Sequence, residues 1–388
     1  MRTILSRAKT PMNKHKIVLV AGARPNFMKL APLLRLLHAD AEFTPVFVHT
    51  GQHYDDRLSG CFFRDLALPN PDHHLGVGSG SHAQQTAEIM KRFEPVVLDE
   101  EPDSVLVVGD VNSTMAAAIV SSKLEVPVIH VEAGLRSCDR SMPEEINRVI
   151  TDAISDLLLV TEESGRHNLL KEGIADARIH LVGNLMIDSL RQSLSAAQTS
   201  DILERLSIGG DAFGLVTLHR PSNVDSSAHL DEVVAALSDI SRSLPLLFPV
   251  HPRTRGQLSS MHVQIPDSIR LIDPLGYLDF LCLMSNSSLV LTDSGGIQEE
   301  TTALGIPCIT LRENTERPVT IQQGTNILGG TRRETILAAW RETIERPKSG
   351  TIPPFWDGSA ASRCVAAIRA HFTDASTQSP SFSVAAYA

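Results

Sequence analysis

Aromatic residues make up only 4% of this 388-residue chain, and cysteine occurs five times, at Cys61, Cys138, Cys282, Cys308 and Cys364, without any Cys-x-x-Cys pair. An odd, scattered set of that kind excludes a disulfide framework and points to reduced thiols in a cytoplasmic protein. No apolar run is long enough to span a bilayer, and the basic segment from Met1 to Lys16 lacks the continuous apolar core of a secretory leader, so no membrane insertion is expected. Positive charge is also in short supply. A formal net charge of -10 argues against a general nucleic-acid binder, while leaving room for a local cationic pocket. Absent too are a Walker sequence, a Gly-x-Ser-x-Gly elbow and any His, Cys and acid spacing that suits a metal.

What the chain does have is an alternation of short apolar runs with amphipathic stretches. The runs Ile17 to Val20, Thr44 to His49, Ser104 to Val108, Val126 to His130 and Asp156 to Val160 are mostly apolar throughout, as strands buried on both faces should be. A helix is expected over Phe27 to His38. After a polar interval, Gln192 to Gly210, the rhythm restarts with Phe213 to Leu218, Leu244 to Val250, Ile269 to Ile272, Ser288 to Thr292 and Pro307 to Thr310. At this length a single ordinary core is too small. The expected fold is α/β, with two Rossmann-like domains over residues 14–195 and 196–373 facing one cleft. Residues 1–13 and 374–388 are expected as tails, and a last helix near Ser359 to Phe372 as a segment that packs back on the first domain.

The polar motifs sit where strands end, which is where doubly wound sheets place their ligands. Leu289 to Glu300 runs from an apolar strand through Ser294-Gly295-Gly296 into a helix with a polar first turn. Free backbone N–H groups and the helix dipole attract an anion there, and paired glycines let a diphosphate approach the main chain. Gly22-Ala23-Arg24-Pro25-Asn26-Phe27-Met28-Lys29 makes a tight strand-to-helix turn in which Arg24 and Lys29 either reach a phosphate or are ordinary surface cations. Asp110 follows a strand directly and either enters the cleft or belongs to a helix start. Glu132 leaves an apolar strand and needs a partner, for which Arg136 is a structural candidate. Glu144 and Glu145 suit the first turn of a helix begun by Pro143, where acids complement the dipole. His219 and Arg220 close another strand, and Arg317 follows a further one. Three acids of different surroundings in one half can divide the work of acid and base.

Taken in order, these words resemble the non-hydrolysing UDP-N-acetylglucosamine 2-epimerases. The matching segments are Gly22 to Lys29, Thr50-Gly51-Gln52-His53-Tyr54-Asp55, Val108-Gly109-Asp110, His130 to Arg136, Pro143 to Arg148, His219-Arg220 and Thr292 to Glu300, across roughly residues 16 to 330. The resemblance implies a GT-B-like pair of domains, a homodimer, a UDP-sugar substrate, no cofactor, and proton abstraction at sugar carbon 2 with departure and return of UDP through 2-acetamidoglucal. It implies proton-transfer positions at Asp110, Glu132 and Glu144, and His219 near the diphosphate. Arg24, Ser294, Gly295 and Gly296 would hold phosphate oxygens, Glu300 the ribose hydroxyls, and Phe280 the neighbourhood of uracil. Lys29, Arg136 and Arg317 would complete the substrate-binding set.

Two departures from the family pattern stand out. Leu275 occupies a place where some members carry glutamine. Asp55 replaces a second glutamine that, in regulated bacterial relatives, helps bind an activating second substrate molecule, which implies an enzyme that needs no such activation. The alternatives are a 2-epimerase of the same mechanism for another UDP-sugar, a hydrolysing relative, and a silent nucleotide-sugar sensor. A GT-B glycosyltransferase would share the fold without needing this group of acids.

Overall fold

The computed structural model describes residues 14–51, 63–250, 252–260 and 265–377. Two parallel sheets organise them. The first has the order β3-β2-β1-β4-β5-β6-β7, made of His15–Ala21 (β1), Phe43–His49 (β2), His73–His74 (β3), Ser104–Val108 (β4), Val128–Ala133 (β5), Leu157–Val160 (β6) and Ile179–Leu181 (β7). The second has the order β10-β9-β8-β11-β12-β13. Its strands are Gly214–Thr217 (β8), Leu246–Pro249 (β9), Ile269–Ile272 (β10), Leu289–Thr292 (β11), Cys308–Thr310 (β12) and Asn326–Leu328 (β13). The chain is α/β, with helices between the strands.

Ile17, Leu19, Leu106 and Val108 bury in one core cluster while Val18, Val20, Val105 and Val107 bury in another, so β1 and β4 are apolar on both faces. The three strands that a run of apolar residues did not reveal, β3, β7 and β13, are only two or three residues long and lie at the sheet edges. One side of each is open, and the sequence pattern weakens accordingly.

In each sheet the strand order reverses once, between β1 and β4 and between β8 and β11. Those two switch points leave crevices beyond the carboxyl ends of the strands. From one crevice rise the turns at Gly22 and Gly109; from the other, the turns at Leu218 and Asp293.

The chain also returns. Helix Ala360–Thr377 is N-capped by the carboxylate of Asp188, which accepts from Ala360 N at 3.1 Å and Ala361 N at 2.8 Å. Its Arg369 pairs with Glu42 at 2.8 Å and with Asp40, both beside the start of β2. Cys364 and Ile368 bury among Leu30, Leu33 and Leu37 of helix Arg24–Ala39 in a shared core.

Candidate active site

At the end of β1 the chain turns through Gly22, where a side chain would collide with the hydroxyls of Ser113 and Thr50. Asn26, one turn into the following helix, accepts from Gly22 N at 3.3 Å and Ala23 N at 3.1 Å and donates to the Val108 carbonyl at 2.9 Å. One carboxamide thereby couples the β1 turn to the β4 turn. Beyond Val108, Gly109 takes φ +72°, a left-handed conformation that glycine adopts without strain, and delivers Asp110 into the crevice. Arg148 Nε donates to Asp110 Oδ2 at 3.0 Å, and Asn147 Nδ2 holds the Asp110 carbonyl at 2.8 Å. Burial opposes the Asp110 charge, yet the Arg148, Lys29 and Arg317 cations outweigh it and hold the carboxyl below its ordinary value. The side chain keeps 29% of its surface open, enough to meet a ligand.

Helix Pro143–Ile154 carries both Glu144 and Glu145, with opposite fates. Glu145 is buried and saturated: Ser137 N, Ser137 Oγ and Cys138 N donate to it at 2.9, 3.0 and 3.0 Å, and Arg148 pairs with it. Glu144 is half-buried and engaged by no hydrogen bond or ion pair among the described residues.

Glu132 is not beyond its strand but within it. The register between β5 and β6 shifts between Val131 and Ala133, and Glu132 sits in that bulge with φ +69°, a conformation that costs a side-chain-bearing residue roughly 1–3 kcal/mol. The bulge re-aims its carboxylate inward, where Lys29 Nζ pairs with Oε2 and Arg317 Nη2 with Oε1 at 2.6 Å. Lys29 is therefore a buried partner and not a solvated cation. Arg317 comes from the second sheet's half and also grips Glu299 at 2.7 Å and Glu316 at 2.6 Å. Around it, burial pushes the Glu299 carboxyl up, while the cations Arg317, Arg312 and Arg220 overcome burial at Glu316 and hold it far below its usual range.

Glu162, two residues past β6, adds a fourth buried acid to Glu132, Glu299 and Glu316. Burial, with Glu299 and Glu132 adding to it, pushes this carboxyl up to about 7, against the bond it accepts from Ser164.

In the second half, Asp293 leaves β11 fully buried and gathers four donors: His219 N at 3.1 Å, Arg220 N at 2.9 Å, Asn223 Nδ2 at 3.2 Å and His219 Nδ1 at 2.9 Å. Burial opposes its charge, and His219 together with these hydrogen bonds holds the carboxyl below its ordinary value. The imidazole is thus oriented from behind while 56% of the side chain stays exposed, which leaves Nε2 for a ligand. Ser294 then takes the N-cap position of helix Gly295–Leu304 without a side-chain capping bond. A Cβ at Gly295 would lie 2.5 Å from Arg317 Nη1 and 2.8 Å from Glu316 Oε1, so glycine lets this turn sit against the arginine that reaches Glu132. Further along, Tyr277 donates its hydroxyl to Glu300 at 2.8 Å, and burial raises the Glu300 carboxyl to about 7. Phe280, on helix Tyr277–Asn286, is half-buried beside the same core.

The structure brings together Asp110, Glu132, Lys29 and Arg317, and sets the Ser294-Gly295-Gly296 turn against that Arg317. Arg136 is not part of this group. Instead of pairing with Glu132 it donates in bidentate fashion to Glu172 at 2.8 and 2.7 Å and reaches Asp152 at 2.7 Å, because the bulge at Glu132 turns the two side chains apart. Arg24 opens helix Arg24–Ala39. Gln52 to Asp55 lie outside the described residues. Residues that sequence reasoning did not single out are Asp293, Arg148, Glu299, Glu316 and Glu162. Asp293 follows β11 as directly as Asp110 follows β4, and that shared position was the available signal. Arg148 reaches Asp110 within the first half, across 38 residues of chain, and the remaining three became visible only once the two halves were placed face to face.

A family model described as UDP-N-acetylglucosamine 2-epimerase matches residues 35–369. The chain is 42% identical over 363 residues to the UDP-N-acetylglucosamine 2-epimerase of Methanocaldococcus jannaschii, covering 90% of this chain and 98% of that protein. It is 40% identical over 351 residues to the UDP-2,3-diacetamido-2,3-dideoxy-D-glucuronate 2-epimerase of Pseudomonas aeruginosa, again covering 90% and 98%. The crystal structure of the M. jannaschii enzyme in complex with UDP-GlcNAc and UDP superposes with a TM-score of 0.86 at 41% identity, over 92% of this chain and 99% of that one.

Proposed function

The chain belongs to the UDP-N-acetylglucosamine 2-epimerase family and is an isomerase, and on that premise we propose that it interconverts UDP-N-acetylglucosamine and UDP-N-acetylmannosamine by anti elimination and re-addition of UDP. One observation carries the reading. A set of acids from the first half and an anion seat from the second meet through the contact of Glu132 with Arg317 at 2.6 Å.

The proton on carbon 2 is weakly acidic, so the reaction needs a placed base, a second group on the other face and cations for the departing diphosphate. Asp110 and Glu144 have room to exchange protons with a ligand, the first ionised by its cationic surroundings and the second unencumbered. Both oxygens of Glu132 are committed to Lys29 and Arg317, so in this arrangement it aims those cations, and it meets the substrate when they move to the diphosphate. His219, oriented by Asp293, faces the same cleft and donates to or accepts from the diphosphate. The N–H groups of Gly295 and Gly296, with the Ser294 hydroxyl, hold phosphate oxygens, the Ser294 N–H being taken by the Thr292 hydroxyl at 3.0 Å. Glu300 and Phe280 take the ribose and the base.

In the forward direction the carbon 2 proton moves to an enzyme base, the bond from carbon 1 to the UDP oxygen breaks, and 2-acetamidoglucal with UDP remains in the cleft. Return of UDP to carbon 1 and delivery of a proton to the opposite face of carbon 2 give the epimer. By the same reading the protein works as a homodimer in the cytoplasm, supplying N-acetylmannosamine-type sugars for surface polysaccharide.

The likeness to the Pseudomonas protein favours a second reading, the same chemistry on a more heavily substituted UDP-sugar. Proton NMR with UDP-N-acetylglucosamine in deuterated buffer separates the two. Signals of UDP-N-acetylmannosamine carrying deuterium at carbon 2 are expected. An unchanged spectrum there, with turnover of a diacetamido UDP-sugar, supports the second reading, and release of UDP with free sugar refutes both.

A further inference from the structure

Helix Pro143–Ile154 carries more than Glu144. Its last turn carries Asp152, fully buried, whose oxygens collect three donors: His130 Nδ1 at 2.6 Å, Gly134 N at 3.0 Å and Arg136 Nη1 at 2.7 Å. The other nitrogen of the buried His130 faces the Gly109 carbonyl at 2.8 Å, and a carbonyl only accepts, so Nε2 donates to it. One carboxylate is thereby tied to both turns that bear the candidate acids: through His130 to the residue before Asp110, and through Gly134 N to the far side of the bulge that holds Glu132. Both turns depend on left-handed backbone, with φ +72° at Gly109, +69° at Glu132 and +79° at Gly134. Such a conformation persists only where its surroundings impose it.

We propose that Asp152, acting through His130 and the Gly134 amide, is a positioning residue that fixes where Asp110 and Glu132 stand relative to each other. The proposal rests on the reaction assigned above and adds a part that touches no substrate. A buried carboxylate is costly to keep unless its donors compensate it, and here burial is outweighed by His130 and Arg136, which hold Asp152 ionised. Its backbone and imidazole donors lead to the two acid-bearing turns, so the arrangement does more than fill a core. Arg136 continues outward to Glu172, which anchors the network without touching either acid. The same helix adds Asn147 and Arg148 on the Asp110 carbonyl and carboxylate, so three of its residues converge on the crevice.

The test is Asp152→Asn, with His130→Gln as the second variant should the first not fold, and Glu172→Gln as the control for generic loosening of the network. UDP affinity is measured first, because the UDP seat lies on the other half. A Kd within about 3-fold of wild type, a KM within about 3-fold and a kcat per UDP-binding site lowered by about 100-fold or more are expected, the scale of a misplacement near 1 Å. Glu172→Gln should lower the melting temperature and leave kcat unmoved. A kcat per UDP-binding site that stays within about 3-fold in Asp152→Asn and His130→Gln overturns the proposal and leaves Asp152 a structural residue. Crystal structures of the same variants supply a reading independent of activity: displaced Asp110 and Glu132 carboxylates support positioning, and unmoved ones overturn it. If the wild-type protein exchanges no deuterium at carbon 2, the assigned reaction fails, and the crystallographic comparison still decides the positioning role.

Discussion

Arg317 and Glu132 belong to opposite halves of the chain and meet at 2.6 Å with 7% and 5% of their side chains exposed. The same guanidinium binds Glu299 and Glu316, so one cation compensates three acids. Arg317→Met is expected to lower stability by about 3–5 kcal/mol, the usual cost of leaving buried charges unpaired, and to abolish turnover. Urea unfolding of Arg317→Met, Glu132→Gln and the double variant checks this, and additive losses would show that the pair does not couple.

Asp110→Asn should leave a folded protein that binds UDP and should reduce kcat by roughly 10²–10⁴-fold, the usual contribution of a placed acid or base. The amide still accepts from Arg148, so the local fold has little reason to change. Normal turnover or a loss of folding would remove Asp110 from the proton-transfer set.

Glu162 gives stability a pH dependence of definite sign. The unfolded side chain titrates near 4.5 and the folded one near 7, so between those values the folded protein keeps a proton that the unfolded chain has released. Stability therefore falls as pH rises through that window and stays lowered above it. Glu300, also pushed up to about 7, acts with the same sign. The depressed carboxyls Asp152 and Asp293 act oppositely, but only in acid, at and below the unfolded aspartate value. Glu162→Gln should thus gain stability relative to wild type on going from pH 5 to pH 8, in paired urea midpoints. Equal differences at both values would contradict the assignment.

Gly295→Ala places a methyl group where Arg317 Nη1 and Glu316 Oε1 stand. The guanidinium has to give way, which weakens its reach to Glu132 and crowds the anion seat together. A UDP Kd raised at least 10-fold, measured by calorimetry, is expected; an unchanged Kd would mean that the turn does not hold the diphosphate.

Much of this was legible in the sequence, and for a physical reason. Strands buried on both faces read as continuous apolar runs, which is why Ser104 to Val108 coincides with an observed strand. Residues that directly follow such strands, Asp110 and His219 among them, had to emerge at the carboxyl edge. What sequence could not supply was pairing between elements far apart in the chain. Nothing near Glu132 announces Arg317, and the nearby Arg136 was the natural guess. The bulge that separates Glu132 from Arg136 has no sequence mark beyond Gly134, and the placement of Glu162 near Glu299 depends on how two halves meet.

Helix Ala360–Thr377 has a consequence for the birth of the protein. Cys364 and Ile368 complete a core begun by Leu19 and Leu30, and Trp356 donates to the Thr161 carbonyl at 3.3 Å. A ribosome making this chain from its amino end thus exposes an unfinished first sheet until helix Ala360–Thr377 has been made. The half that carries the acids closes last, although it is made first, so a nascent chain halted near residue 350 should be captured by chaperones and should be easily cleaved by protease.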